Sequence, residues 1–283
     1  MSYINAIEKM SYSIDTKKYI NKMISYLKSG KIKVNIDLNN PKTIQDKLAW
    51  LNIYDTNPLK VKCADKLGVK EYSKEVLGED ICIKTIKVYN NTNSINWNEL
   101  PKQFVIKCNH GSGMNIIVRD KLKLDKQRAK ITLNRWLKDD FAFRNGFEAH
   151  YHDISHKIFI EEYMNDGHNT LHDYKFWCFN GEPKIWTIND GNGHGDIMYY
   201  GMDGSEMNLY GVKHHNDYKK PINFDKMVEY ATKLSEPFKF VRVDFYEIKN
   251  KIYLGEMTFM PGAAKFKYKK PEYDIMVGKM LEL

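Results

Sequence analysis

The chain has 283 residues and a mass of 33.3 kDa, enough to bury a full core in two or three lobes. Hydrophobic content of 42% with 13% aromatics excludes a disordered chain, and a net charge of +8 points to polyanionic company: nucleotide phosphates, an acidic polymer, nucleic acid or anionic lipid. Four scattered cysteines without a CxxC pair argue for reduced thiols in the cytosol and against a zinc knuckle; the lack of an apolar h-region or a long apolar run argues against export and membrane insertion.

Residues 1–62 read as helical and irregular, with a helix over 43–54 that a threonine cap opens and that carries Ile44, Leu48 and Leu51 on one stripe. Residues 60–78 read as two helices broken at Gly68, with Lys66 between them; taken alone, that lysine reads as solvent-facing. Residues 101–119 read as strand, glycine turn, strand, with Lys107 on the Val105 face and the loop His110-Gly111-Ser112-Gly113 following. Glycines let backbone N–H groups approach a phosphate, but the same spacing also describes a plain hairpin turn. An amphipathic helix over 125–138 turns Ala129, Leu133, Trp136 and Leu137 inward.

His150, His152 and His156 follow without the spacing of a zinc motif and read as surface or pocket lining. A buried strand over 157–164 ends in the pair Glu161-Glu162, before a turn at Asn165-Asp166-Gly167. Residues 173–190 form a hairpin around Asn180-Gly181, placing Asp173, Lys175 and Trp177 on one face. The tract 191–196 reads as a mobile loop or lid edge, and 225–236 as a helix with Met227, Ala231 and Leu234 inward.

Residues 240–259 contain two alternating strands joined at Lys249-Asn250-Lys251. Arg242 and Asp244 share one face, Val241, Val243 and Phe245 the other. On the second strand Glu256 and Thr258 oppose Tyr253, Met257 and Phe259. A three-residue loop pairs Ile248 with Ile252, hence Asp244 with Glu256 and Arg242 with Thr258; a two-residue loop puts the two carboxylates on opposite faces. Facing carboxylates repel, and Mg²⁺ is the natural cation to sit between them. An amphipathic hairpin with a solvated charged face has the same spacing. The tail after Pro261 carries Lys265, Lys267, Lys269 and Lys270.

The segments CADKLGVKEY, FVIKCNHGSG, FIEEYM, DYKFWCFNGEP and VRVDFY…IYLGEMTFMPG, in that order, resemble the TupA-like group of the ATP-grasp superfamily over roughly residues 41–283. The resemblance implies an α+β ATP-grasp fold: an N-terminal helical segment over 1–62, a lid subdomain over 63–161 and a C-terminal subdomain over 162–283. It implies that Lys66 and Lys107 reach the nucleotide phosphates, and that His110, Gly111, Ser112, Gly113 and Met114 close over them. Glu161, Glu162, Tyr163 and Met164 form the hinge, with backbone groups of Glu162 and Met164 reading adenine. Asp244, Glu256 and Thr258 hold Mg²⁺, Arg242 steadies the transferred phosphoryl group, and Lys175 contacts phosphate or substrate. Arg242, Lys107 and Lys175 are the implied catalytic groups.

ATP and Mg²⁺ are thus the expected cofactors. A small-molecule or saccharide carboxylate and an amine are the expected partners, without nucleic acid. The implied activity is an ATP-dependent carboxylate–amine ligase, directed at a bacterial capsular or surface polysaccharide or its nucleotide-linked precursor. A kinase-like phosphotransferase and a glycosyltransferase are the alternatives. Two positions depart from the superfamily pattern: Thr258 stands where many members carry asparagine, and Gly262-Ala263-Ala264 where a glycine-richer substrate loop is expected. Asp244→Asn, nearly isosteric, is expected to abolish Mg²⁺-dependent turnover and leave the fold intact.

Overall fold

The computed structural model describes residues 36–144, 147–165, 171–189, 197–211 and 218–283. The tract 191–196, residues 166 and 167 of the expected turn, and residues 1–35 lie outside them. Helix α1 (Ile44–Tyr54) starts on the expected cap, where Thr43 accepts from the Asp46 N–H and Asp46 accepts from the Thr43 N–H, a reciprocal capping box. Two short helices follow, α2 (Leu59–Ala64) and α3 (Gly68–Leu77). Lys66 lies in the turn between them. Gly68 is required there, because a Cβ would stand 2.4 Å from the Lys62 carbonyl oxygen.

Strands β1 (Thr85–Tyr89), β2 (Phe104–Cys108), β3 (Asn115–Val118) and β4 (Ile158–Glu162) form an antiparallel sheet in the order β1-β4-β2-β3. Alternation along β2 sends Phe104, Ile106 and Cys108 into the core and leaves Val105 and Lys107 on the other face. Helix α4 (Lys126–Leu137) packs on this sheet through Ala129, Leu133 and Trp136.

The second sheet comprises β5 (Asp173–Phe179), β6 (Glu182–Asn189), β7 (Met198–Gly201), β8 (Phe240–Ile248) and β9 (Lys251–Thr258), in the order β7-β6-β5-β8-β9. Helix α5 (Phe224–Ser235) covers one face with Met227, Ala231 and Leu234 fully buried. The β5–β6 turn is Asn180-Gly181, both at positive φ (50° and 82°), the two-residue geometry that suits right-twisted strands. Helix α6 (Pro271–Gly278) packs against α1, where the Gln45 backbone N–H and side chain reach Asp274 and Lys47 donates to the Leu281 carbonyl. Ile44, Leu48 and Leu51 of α1 thereby join Trp177 and Phe179 in one core. All four cysteines are unpaired, and burial pushes the thiols of Cys63, Cys108 and Cys178 up to about 12.

The β8–β9 turn differs from the expected one. Its loop is two residues, Lys249 and Asn250, at φ 51° and 61°, and Ile248 pairs with Lys251. Continued unbroken, that register would set Glu256 against Val243 on the core face. A bulge intervenes: Phe245 pairs with Leu254 while Asp244 pairs with Glu256, leaving Gly255 as the extra residue. The bulge returns Glu256 and Thr258 to the face of Asp244 and Arg242, and it sends Leu254 rather than Tyr253 into the core. Gly255 permits this because a Cβ there would stand 2.9 Å from the Tyr246 ring and 3.2 Å from the Asp244 carbonyl oxygen. Gly255→Ala should therefore lower stability by about 1–3 kcal/mol, measured by denaturant or thermal unfolding; an unchanged midpoint would show that the bulge tolerates a side chain.

Candidate functional site

Three strands bring the site together in rows. Lys175 on β5 pairs across to Asp244 on β8, which pairs with Glu256 on β9; in the next row Trp177, Arg242 and Thr258 are aligned. Alternation puts Val241, Val243 and Phe245 of the same strand fully into the core, so the charged side chains share the opposite face.

Asp244 is the hub. Its Oδ1 accepts from Arg242 Nε at 2.7 Å, and its Oδ2 accepts from Arg242 Nη2 at 2.6 Å and from Lys175 Nζ at 3.0 Å. Lys175 also donates to Asp173 at 2.8 Å. Glu256 accepts from Arg242 Nη2 at 3.2 Å and from the Thr258 hydroxyl at 3.1 Å, and lies 3.5 Å from Lys66. For Glu256, Lys175 and Arg242 burial works against the charge, yet the opposite charges outweigh it, whereas for Asp173 burial prevails over the pull of Lys175 and raises the carboxyl. Glu256 is brought down to about 2 by Lys66, Arg242 and Lys175, while Asp244 and Asp173 hold the Lys175 ammonium above its usual range, and Asp244 does the same for Arg242.

Lys107 stands opposite this face with Glu161, whose other oxygen takes Lys70 from α3. Burial raises the Glu161 pKa less than the two lysines lower it, so the carboxyl stays below its ordinary range. Lys70 sits one helical turn after Lys66, a spacing that marks the pair in the sequence. Asn109, fully buried, ties the parts together. Its carbonyl accepts from the Lys66 N–H at 3.1 Å, its Nδ2 donates to Asp65 and to the Ser155 carbonyl, and its Oδ1 accepts from the Lys157 N–H.

In the glycine loop, Ser112 and Gly113 are exposed, whereas Met114 is core and the His110 side chain points inward. His110 Nε2 is paired with the Trp136 carbonyl at 3.0 Å and its ring stacks on His156 at 3.6 Å, while burial lowers its pKa to about 4. Its imidazole is thus a neutral packing element; what the loop presents is Ser112 and Gly113. At the hinge, the Glu162 N–H already donates to the Lys84 carbonyl, so of the two expected base readers it has no free N–H to offer. The histidine trio diverges: His150 is buried, His152 pairs with Asp140 at 2.7 Å, and His156 bonds the Leu137 carbonyl.

Two cavities flank the rows. One, of about 280 Å³, is lined by Val105, Ile117 and Lys107 of the first sheet, Glu161 to Met164, and Asp173 and Tyr246 of the second. The other, of about 410 Å³, is lined by Ser112, Glu148, Tyr151, Arg242, Glu256, Thr258, Gly262, Ala263 and Lys265. Glu148 and Lys265 carry no motif and sequence reading passes over them in this role. Two facing carboxylates beside a hydroxyl are a donor set suited to a hard cation that shares its remaining positions with phosphate and water. Among the described residues no group of three or more His, Cys, Asp or Glu could cage a metal alone.

Asp244→Asn is not neutral to this fold. It removes the counter-charge of two buried cations, so stability should fall by about 3–5 kcal/mol, whereas Glu256→Gln, with a side chain 32% exposed, should cost far less. Comparing the unfolding midpoints of the two variants checks this. Burial pushes the Glu148 carboxyl up to about 8, against the partial pull of Lys265. The folded chain then keeps a proton that the unfolded chain loses near the ordinary carboxylate value, so this group lowers stability as pH rises between about 4.5 and 8. Glu148→Gln should therefore gain in melting temperature over the unsubstituted protein across that window, with the difference constant above it; a pH-independent difference would contradict the raised pKa.

The sequence profile of the family described as TupA-like ATPgrasp matches residues 46–282. No curated protein matches the sequence. Among solved structures, D-alanine-D-alanine ligase from Helicobacter pylori is similar at 17% identity and a TM-score of 0.46, over 84% of this chain and 65% of that one. D-alanine--D-alanine ligase from Bacillus anthracis complexed with ATP is similar at 14% and 0.40, over 77% and 59%. N5-carboxyaminoimidazole synthetase from Staphylococcus aureus complexed with ADP is similar at 14% and 0.39, over 69% and 44%. The chain spans less than two thirds of the length of each of these proteins. With a profile match over most of its length and two antiparallel sheets carrying helices, the chain belongs to the TupA-like ATP-grasp family and has its α+β fold.

Proposed function

We propose that the protein is an ATP-dependent ligase that joins a carboxylate to an amine through an acyl phosphate. The observation that carries this reading is the Lys175–Asp244–Glu256 row between two cavities of different character. The cavity with Val105, Ile117 and Met164 suits a planar base, read by the backbone of Tyr163 and Met164. The more polar one suits the acceptor substrates. Phosphates between them would lie within reach of Lys66, Lys107 and the exposed tip of the glycine loop.

ATP enters as a substrate. A carboxylate oxygen attacks the γ-phosphorus, ADP leaves, and an amine then displaces phosphate from the acyl carbon. The protein's part is positioning and charge neutralisation. Lys66 and Lys107 exchange their carboxylate partners for phosphate oxygens, Arg242 meets the transferred group, and Lys175 keeps Asp244 oriented through its hydrogen bond. Asp244 and Glu256, with Thr258 beside them, would hold Mg²⁺, which when bound neutralises phosphate charge. The net charge of +8 supports an acidic acceptor, a uronate of a bacterial surface polysaccharide or its nucleotide-linked precursor. A cytoplasmic location accords with unpaired cysteines; among the described residues no helix is long and apolar enough to cross a membrane. We place the subdomain boundaries at about residues 62 and 161, with α1 packing on the C-terminal body.

The chemistry has a direct test. After screening paired carboxylates and amines for ADP release, the active carboxylate is labelled with heavy oxygen and the released phosphate weighed by mass spectrometry. One labelled oxygen should appear in phosphate. Unlabelled phosphate beside amide product excludes the acyl phosphate, AMP indicates adenylation, and a stable phosphorylated product without amine indicates a phosphotransferase. Lys107→Met should lower kcat by about a hundredfold or more; an unaltered kcat removes Lys107 from the phosphate site.

A further inference from the structure

Residues 119–138 carry eight basic and two acidic residues, in a chain whose net charge is +8. Both acids are engaged with nearby backbone. Asp120 accepts from the Leu122 N–H at 3.1 Å, and Asp125 caps α4 by accepting from the Arg128 N–H at 2.9 Å. Helix α4 itself contains no acidic residue; its stripe of Ala129, Leu133 and Trp136 faces the sheet, and its outward stripe carries Arg128, Ile131, Arg135 and Lys138. At about 100° per residue, the three cations fall on the same third of the helix surface as Ile131. No carboxylate among the described residues pairs with any of them, whereas Glu229 on the exposed face of α5 takes both Lys226 and Lys233.

Two apolar side chains stand among these charges. Ile131 is 62% exposed, and Leu122, at 90%, is the most exposed large apolar side chain among the described residues. Leu122 lies in the short turn that feeds α4, and Lys121 pins that turn. The Lys121 N–H donates to the Lys102 carbonyl at 2.9 Å, and its Nζ donates to the carbonyls of Asn98 and Leu100. The leucine is therefore held outward by its neighbour. Helix α4 shares a core with Phe104, Ile106 and Cys108, so it covers the face of the first sheet opposite Lys107. The basic and apolar surface points away from the cavity that Lys107 lines.

We propose that this surface docks the protein on the face of an anionic lipid bilayer. The cations lie against headgroup phosphates, and Leu122 and Ile131 enter the boundary between headgroups and acyl chains. The docking is peripheral and leaves the Lys107 cavity open on the aqueous side. It is independent of the ligase reading. Charge complementarity alone would also admit nucleic acid, but the apolar part selects lipid. Bases stack on exposed aromatic rings, and Trp136, the single ring on α4, is 8% exposed. A projecting aliphatic side chain gains from acyl chains and little from a polyphosphate backbone.

The test is cosedimentation of the full chain with large unilamellar vesicles, one set of phosphatidylcholine alone and one with about one third phosphatidylglycerol. Binding is expected to the anionic set only, and is expected to fall when salt is raised to about 0.5 M. Arg128→Gln, Arg135→Gln and Lys138→Gln combined should weaken it by about a hundredfold. Leu122→Ser should weaken it by about tenfold at unchanged charge, which separates insertion into lipid from attraction to any polyanion; it also serves if the triple variant does not fold. Lys226→Gln with Lys233→Gln on α5 is the matched control and should bind as the unsubstituted protein does. Absence of binding to anionic vesicles overturns the proposal, as does equal binding to neutral ones, or full affinity in the triple variant or in Leu122→Ser. Retention of single-stranded or duplex DNA without retention of anionic vesicles assigns the surface to nucleic acid and overturns it too.

Discussion

Burying charge is the expensive act in this fold, and the way each charge is answered dictates most of what surrounds it. Asp244 lies between Arg242 and Lys175, Glu256 between Arg242 and Lys66, and Glu161 between Lys107 and Lys70. A carboxylate or ammonium left alone at such depth would cost several kcal/mol, so the charges of the site are paired with one another. The same pairing leaves the cluster ready to change partners. On the function proposed above, a phosphate that takes a lysine would release a carboxylate, which is what a divalent cation requires. Both exchanges would keep the buried charges compensated, with little reorganisation of the reacting groups.

That constraint reaches into the backbone. Rows of charge across three strands demand register fixed to the residue, because a slip by one moves a carboxylate into the apolar layer. Between β8 and β9 the register is set by the Gly255 bulge, which corrects the pairing that the two-residue loop would otherwise misalign. Asn109 does for the lysines what the bulge does for the carboxylates. By accepting the Lys66 N–H and bonding across to Ser155 and Lys157, it fixes the α2–α3 turn against the glycine loop.

How far the sequence discloses this follows from what kind of signal each part leaves. Strand alternation is a period-two signal, so the shared face of Arg242 and Asp244 is readable from residue order, and so is the Asn180-Gly181 hairpin. The opposition of Asp244 and Glu256 is also readable, but its cause is not. A three-residue loop and a two-residue loop plus a bulge give the same pairing, and a lone glycine in a strand does not say which. The burial of His110 is unreadable for another reason: a histidine beside glycines looks like a loop residue until the packing of His156 and Trp136 is known. Glu148 leaves no periodic or motif signal at all, since its environment is assembled from α1, the post-hairpin turn and a segment without regular structure. The packing of α1 on the C-terminal body is likewise a long-range contact with no local trace.

The turn after β9 shows how a departure in sequence can leave geometry intact. Gly262, Ala263 and Ala264 all adopt positive φ, at 59°, 52° and 53°, where glycine rests easily and alanine is strained by about 1 kcal/mol each. The Ala263 N–H bonds the Met260 carbonyl and the Lys265 N–H bonds the Gly262 carbonyl, which closes a left-handed turn along the cavity wall. A glycine-rich loop would reach the same conformation with less strain but more freedom in the unfolded chain. Two alanines instead add methyl groups to a turn that borders the cavity and hold Lys265 against a fixed frame. Local strain is tolerated here because the surrounding core, with Met260 and Pro261 buried at the start of the turn, leaves the chain no other path. The outcome is a left-handed turn, with Lys265 directly after it, that forms part of the wall of the larger cavity.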